Sequence, residues 1–260
     1  MTRPRFAFLD HPGPIAFAHR GGALEAFENT WTSFTHARDL GYVYMETDVH
    51  VTSDGVVLTI HDPDLRRVSD RHGLIREMTS TELATVRING DEPIPRLDEL
   101  LGAWPEMRWN IDAKHDSVVE PLIETLRRAD AVDRVGITSF SDRRLTRIRR
   151  QLGPGLCTAM GPAAVSALRL ASLLPGPFGG PAAALLGRFG AAQVPIRQWG
   201  MQLVDHRLVD TAHRAGLQVH VWTIDDEAAM ARLLDLGVDG IMTDRPTVLK
   251  QLLESRQAWV

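Results

Sequence analysis

The chain has 260 residues, 29 lysines and arginines against 33 aspartates and glutamates, a formal charge of −4, and 44% apolar residues. Those values describe a soluble globular protein, because one core of about 250 residues is still ordinary for barrels. The mild acidity gives no electrostatic basis for nucleic-acid binding. Cys157 is the single cysteine, so no intrachain disulfide forms and a reducing, cytoplasmic setting is the expectation. Residues 1–20 are interrupted by Arg3, Pro4, Arg5, Asp10, Pro12 and Pro14, which leaves no run of signal-peptide length. Nowhere do about 18 apolar residues follow one another, so no spanning helix is expected; peripheral membrane contact stays open.

Short runs rich in β-branched or aromatic residues alternate with longer stretches of helical spacing. The expected strands are Ile15–Ala18, Val43–Asp48, Arg108–Asp112, Arg134–Thr138, Leu156–Met160, Ala192–Pro195, Leu217–Trp222 and Gly240–Thr243. The expected helices include Thr30–Leu40, Ser117–Arg128, Asp142–Gln151, Ala163–Leu174, Arg207–Ala215, Asp226–Leu236 and Pro246–Leu253. Asn29 and Ser141 stand where a cap starts a helix, and Gly41, Gly153, Gly216 and Gly237 stand where one ends. Eight such units suit a (β/α)8 barrel in one domain over residues 1–260, with its core between 15 and 253. Periodicity alone suits a doubly wound open sheet equally.

Two segments break the rhythm. After the Ser53-Asp54-Gly55 turn, Val56–Ile60 reads as an extra strand forming a hairpin with the second. Between Leu168 and Phe189, apolar residues mix with Pro175, Pro177, Gly179, Gly180 and Pro181, which excludes a single helix.

Strand side chains two apart share a face. Glu46, Asp48 and His50 therefore lie together on the second strand, and Asn110, Asp112 and Lys114 on the third. His19-Arg20 ends the first strand, and His61-Asp62 ends the extra run. Polar groups thus gather at carboxyl ends of early strands, where (β/α)8 enzymes carry their chemistry. Glu46, Asp48 and Asp112 are hard oxygen ligands of the kind Mg²⁺ or Ca²⁺ takes. Any one such acid is more often solvated or paired, but like charges on one face need a compensating cation. His19 and His61 are of the right type for an acid–base pair, although most of the ten histidines have structural or surface roles. Arg20 offers a planar fork for phosphate oxygens, or a surface ion pair. Lys114 is one of only two lysines beside 27 arginines. Trp222 either packs in the core or floors a pocket.

The motifs Ala18-His19-Arg20-Gly21, Glu28-Asn29-Thr30, Glu46-Thr47-Asp48, His61-Asp62, Leu65-Arg66-Arg67, Asn110-Ile111-Asp112-Ala113-Lys114, Ser139-Phe140, Val221-Trp222-Thr223 and Gly237 through Pro246 carry a resemblance in their order and spacing. The chain resembles the glycerophosphodiester phosphodiesterases, a TIM-barrel family. The resemblance implies a divalent metal, Mg²⁺ or Ca²⁺, on Glu46, Asp48 and Asp112, with His19 and His61 as acid and base or His61 as a further ligand. It also implies phosphate or substrate contacts from Arg20, Lys114 and Trp222, with Glu28 and Asn110 in support. The implied reaction is hydrolysis of a glycerophosphodiester to sn-glycerol 3-phosphate and an alcohol, through a cyclic phosphate. A lysophospholipase D acting on acylated substrates, with the 168–189 stretch over the mouth, is the enzymatic alternative. A barrel that binds phosphate esters without cleaving them is the other. Two positions depart from the family pattern: Phe27 replaces the usual proline before Glu28, and Asp112 stands where glutamate is common.

Overall fold

Short β-branched runs buried on both faces need helices to cover them, and the chain answers that need with a closed ring. The computed structural model describes residues 5–173, 186–198 and 200–260. In chain order the strands are β1 (Ile15–His19), β2 (Tyr44–Val51), β3 (Val57–Thr59), β4 (Arg108–Ala113), β5 (Val135–Thr138), β6 (Cys157–Thr158), β7 (Ala191–Val194), β8 (Arg197–Gln198), β9 (Met201–Gln202), β10 (Gln218–Val221) and β11 (Gly240–Thr243). Eight of them pair in parallel in the order β6-β5-β4-β2-β1-β11-β10-β7. A parallel bridge between Ala159 and Ala191 joins the two ends. The result is a (β/α)8 barrel, which resolves the choice against the open sheet.

The α-helices are α1 (Trp31–Asp39), α2 (Ser80–Leu83), α3 (Leu97–Ala103), α4 (Val119–Arg128), α5 (Asp142–Leu152), α6 (Pro162–Leu173), α7 (His206–Arg214), α8 (Glu227–Asp235) and α9 (Pro246–Ser255). Their apolar faces and the outward faces of the strands form the main core, exemplified by Leu122, Leu126, Ile148, Leu208 and Leu249. Ser141 caps α5 as expected. Asn29 does not cap α1: Thr30 does, in a reciprocal pair with Ser33, and Asn29 turns instead into the barrel mouth. The glycines at 41, 153, 216 and 237 all have positive φ, the backbone state that ends a helix without steric cost.

The amino-terminal end of the barrel is closed by the chain's own start. Phe6, Phe8 and Leu9 pack with Phe17, Tyr44, Cys157 and Met242 in a cluster inside the ring. Gly136 makes room for this plug, since a Cβ there would lie 2.5 Å from the Phe8 ring.

The expected hairpin exists, with β3 antiparallel to β2. It is larger than a hairpin, however. Residues 57–96 form an excursion with its own apolar cluster of Leu58, Ile60, Leu65, Val68, Ile75, Leu83, Val86, Ile88 and Ile94. Of the apolar stretch between 168 and 189, Leu168 of α6 is buried, Leu170 and Leu173 are exposed, Leu186 is partly buried against the main core, and Phe189 is buried. Residues 174–185, with Leu174, Pro175, Pro177, Phe178, Gly179, Gly180, Pro181 and Leu185, lie outside the described residues. Among the described residues, no helix is long and apolar enough to cross a membrane.

Candidate active site

The site grows from strand register. β2 and β4 pair so that Glu46 faces Asn110 and Asp48 faces Asp112, and β1 sets His19 beside Glu46. Beyond His19 the chain turns sharply through Arg20 (φ +53°) and Gly21 (φ +81°). A Cβ at Gly21 would lie 2.3 Å from Ser33 Oγ, so the turn sits hard against the start of α1. The turn aims the Arg20 amide at Glu46, donating to its backbone oxygen at 3.0 Å and to Oε2 at 3.2 Å.

Each histidine has one ring nitrogen held by a carboxylate. His19 Nδ1 meets Asp244 Oδ1 at 2.6 Å, and His61 Nδ1 meets Asp62 Oδ1 at 2.6 Å. His19 Nε2 faces Glu46 Oε2 at 3.7 Å. Asp244 is fixed in turn by its amide donating to Asp225 Oδ1. The carbonyl of His61 accepts from His50 Nε2 at 3.1 Å, so the third polar group on the β2 face tethers the second histidine.

From His61 a chain of ion pairs runs across the mouth to Asp112. Asp62 and Glu28 share Arg67; Glu28 also pairs with Arg20 at 3.3 Å. Arg20 Nε lies 3.0 Å from Asp48 Oδ2, an ion pair without the alignment of a hydrogen bond. Lys114 Nζ then bridges Asp48 Oδ1 at 2.8 Å and Asp112 Oδ2 at 2.7 Å. Asn29 braces the centre, its amide donating to Asp48 Oδ2 while its carbonyl accepts from Thr47 Oγ1.

The charges bias one another. Burial pushes the Glu46 carboxyl well up, and the neighbouring Asp48 adds to the rise against the opposing charges of His19, Arg20 and Lys114. Burial also works to raise Asp48, but Lys114 and Arg20 outweigh it and hold that carboxyl low. Burial raises Asp112, with the charge of Asp48 adding to the rise, and the opposing pull of Lys114 does not cancel it. Burial lowers His19, yet Glu46 and Asp244 together reverse the sign and leave it raised.

Among the described residues, no group of three His, Cys, Asp or Glu side chains is already arranged to hold a metal ion. The donor chemistry nevertheless fits a hard divalent cation. Asp112 Oδ1 is buried with no hydrogen-bond partner, and Glu46 and Asp48 are like charges pressed together out of water.

Two of the residues singled out from sequence lie differently. Asn110 is inside the barrel, exchanging hydrogen bonds with Gln193, which also reaches His220 Nδ1. Trp222 is half-buried; it seals the interior cluster and meets the exposed Phe140 ring edge-on at 6.0 Å. Sequence reasoning assigned no role in the site to Asp244, Asp62, Arg67 or His50, and gave Asn29 only that of a helix cap. Parity marks Asp244, because Gly240, Met242 and Asp244 share one face as β11 runs out.

Known proteins match the chain in sequence and in fold. The family model for the glycerophosphoryl diester phosphodiesterases matches residues 19–248. The chain is 37% identical over 259 residues to Probable glycerophosphodiester phosphodiesterase 2 of Mycobacterium tuberculosis, covering 98% of this chain and 97% of that one. It is 27% identical over 274 residues to a lysophospholipase D of Homo sapiens, covering 93% and 86%. The fold superposes on the crystal structure of a glycerophosphodiester phosphodiesterase from Agrobacterium tumefaciens with a TM-score of 0.75 at 23% identity, covering 93% and 99%.

Proposed function

The chain belongs to the glycerophosphoryl diester phosphodiesterase family, and from that premise we propose that it hydrolyses glycerophosphodiesters to sn-glycerol 3-phosphate and an alcohol, with His19 and His61 as acid and base. One observation carries this reading. Both imidazoles have Nδ1 engaged by a carboxylate at 2.6 Å, which leaves Nε2 of each for proton transfer: His61 begins the ion-pair chain, and His19 faces Glu46, whose Oε2 accepts from the Arg20 amide.

Glu46, Asp48 and Asp112 would hold a divalent cation, Mg²⁺ or Ca²⁺. When bound, that ion supplies positive charge for the non-bridging phosphate oxygens. Arg20 and Lys114 bring a guanidinium and an ammonium to the same oxygens, and Glu28 holds Arg20 in place. In the first step the glycerol 2-hydroxyl oxygen bonds to phosphorus as the bond to the departing alcohol breaks. One imidazole takes the hydroxyl proton and the other protonates the leaving oxygen. In the second step a water oxygen bonds to phosphorus, the cyclic phosphate opens at the 2-oxygen, and the imidazoles exchange roles. The tethered hydroxyl replaces a bimolecular encounter, a contribution of up to about 7–11 kcal/mol in favourable geometry.

A second reading, an acylated substrate, draws on the exposed Leu170 and Leu173 of α6 and the exposed Phe140 at the mouth. Both readings meet one experiment: ³¹P analysis of products from glycerophosphocholine, glycerophosphoethanolamine and lysophosphatidylcholine, each with Mg²⁺, Ca²⁺ or chelator. Glycerol phosphate from the first two, abolished by chelator, is the expected result. Preference for the lysolipid would move the assignment to the second reading. Metal-dependent binding without any product would make the barrel a phosphate-ester binder.

A further inference from the structure

Arg67 belongs to no strand of the barrel, yet it holds both mouth loops. Its two terminal nitrogens engage Glu28, Nη1 donating to Oε2 at 2.8 Å and Nη2 to Oε1 at 2.6 Å, and its Nε donates to Asp62 Oδ2 at 2.5 Å. Glu28 lies on the connection between β1 and α1, and Asp62 on the excursion that follows β3. The guanidinium fork matches two carboxylates at once, as a point charge cannot. Both carboxyls are held low: burial, the largest single influence, opposes this, but the Arg67 hydrogen bond together with the neighbouring positive groups outweighs it at Glu28 and at Asp62.

We propose that Arg67 is a positioning residue for His61: by clasping Glu28 to Asp62 it fixes the carboxylate that orients the imidazole. The proposal rests on the reading of His61 as an acid–base group. Asp62 spends one oxygen on Arg67 and the other on His61 Nδ1, so freeing the first lets the side chain turn and releases the ring. Among the described residues, no other side chain hydrogen-bonds to that imidazole; the remaining tether, from His50, reaches only the His61 backbone carbonyl. Arg67 itself is well placed to act as a fixed post. Leu65 and Val68 on either side of it are buried in the small cluster, which anchors the backbone while the side chain stays half-exposed at the mouth. A half-exposed ion pair adds little to folding stability, so its effect falls on geometry.

The test uses the whole chain with glycerophosphocholine and the activating metal. For Arg67→Gln, kcat falls about 10–100-fold while KM stays within about threefold, since a misplaced proton carrier slows the chemical step without loosening binding. Arg67→Lys keeps the charge, folds with the parent's thermal midpoint, and shows the same loss because it lacks the fork. In an Asp62→Asn background the Arg67→Gln change adds little, because both act on one ring. Independently of turnover, ¹⁵N-histidine spectra of both Arg67 variants lose the Nδ1-engaged signal of His61 that the parent shows. Normal kcat in both variants, a rise in KM at unchanged kcat, full additivity with Asp62→Asn, or an unaltered His61 signal would each overturn the proposal. A parent chain that binds but does not turn over substrate would overturn the functional reading instead, with the histidine spectra still reporting whether Arg67 sets the ring.

Discussion

The two halves of the site are built on different principles. His19, Glu46, Asp48, Asp112 and Asp244 project from barrel strands or their ends, and the histidine side chain there is 13% exposed. His61, Asp62 and Arg67 sit on the excursion, with side chains 34%, 24% and 47% exposed. In the first half, backbone register sets the spacing of the groups and burial strengthens every charge. In the second, ion pairs between loops do the positioning, and each contributes little to stability on its own. Barrel-borne groups should therefore couple function to folding, whereas excursion-borne groups should be separable from it.

The largest effect expected is on turnover. His19→Ala and His61→Ala each lose about 10²–10⁴-fold in kcat with the fold retained, and the comparison predicts a smaller change in thermal midpoint for the exposed His61 than for His19. Equal midpoints would erase the distinction between the halves. Next is Asn29→Ala. This loop residue inserts into the barrel half, where its loss leaves Asp48 and Thr47 short of partners. Chemical denaturation should register about 1–3 kcal/mol of destabilisation, and a cost near zero would return Asn29 to the loop half.

The remaining effect concerns pH. Burial inside the barrel lowers His220 from 6.5 to about 3. The unfolded chain then takes up a proton that the folded one refuses, so this residue's contribution to stability is complete above pH 6.5 and declines as the pH falls toward 3. The slope is about 1.4 kcal/mol per pH unit. His220→Gln should flatten that limb between pH 6 and 4, measured by denaturant midpoints. An unchanged slope would mean that the barrel interior admits the charge.

What was legible in the sequence follows the same division. Alternation along β2 and β4 grouped Glu46 with Asp48 and Asp112 with Lys114, because a strand's period fixes side-chain direction locally. Eight repeats of the same kind suit the (β/α)8 ring and an open sheet equally, and it was the family resemblance that pointed to the ring. Asp244 was overlooked since the strand pattern stops at Thr243, one residue short of it. The excursion reads as a hairpin because α2, the α-helix described within it, is too short to display a helical period. The pairing of Arg67 with Glu28 spans 39 positions and has no local signature at all. Nor does Lys114 announce that it bridges acids on two strands; that depends on the register of β2 against β4.

The central claim is that these two differently built halves serve one chemical step. Its most direct test is the kcat of His19→Ala, His61→Ala and the double variant on glycerophosphocholine at saturating metal and substrate. Groups acting as a unit give a double variant no slower than the slower single by more than about threefold. Losses that multiply, or near-normal turnover in either single variant, would contradict the account.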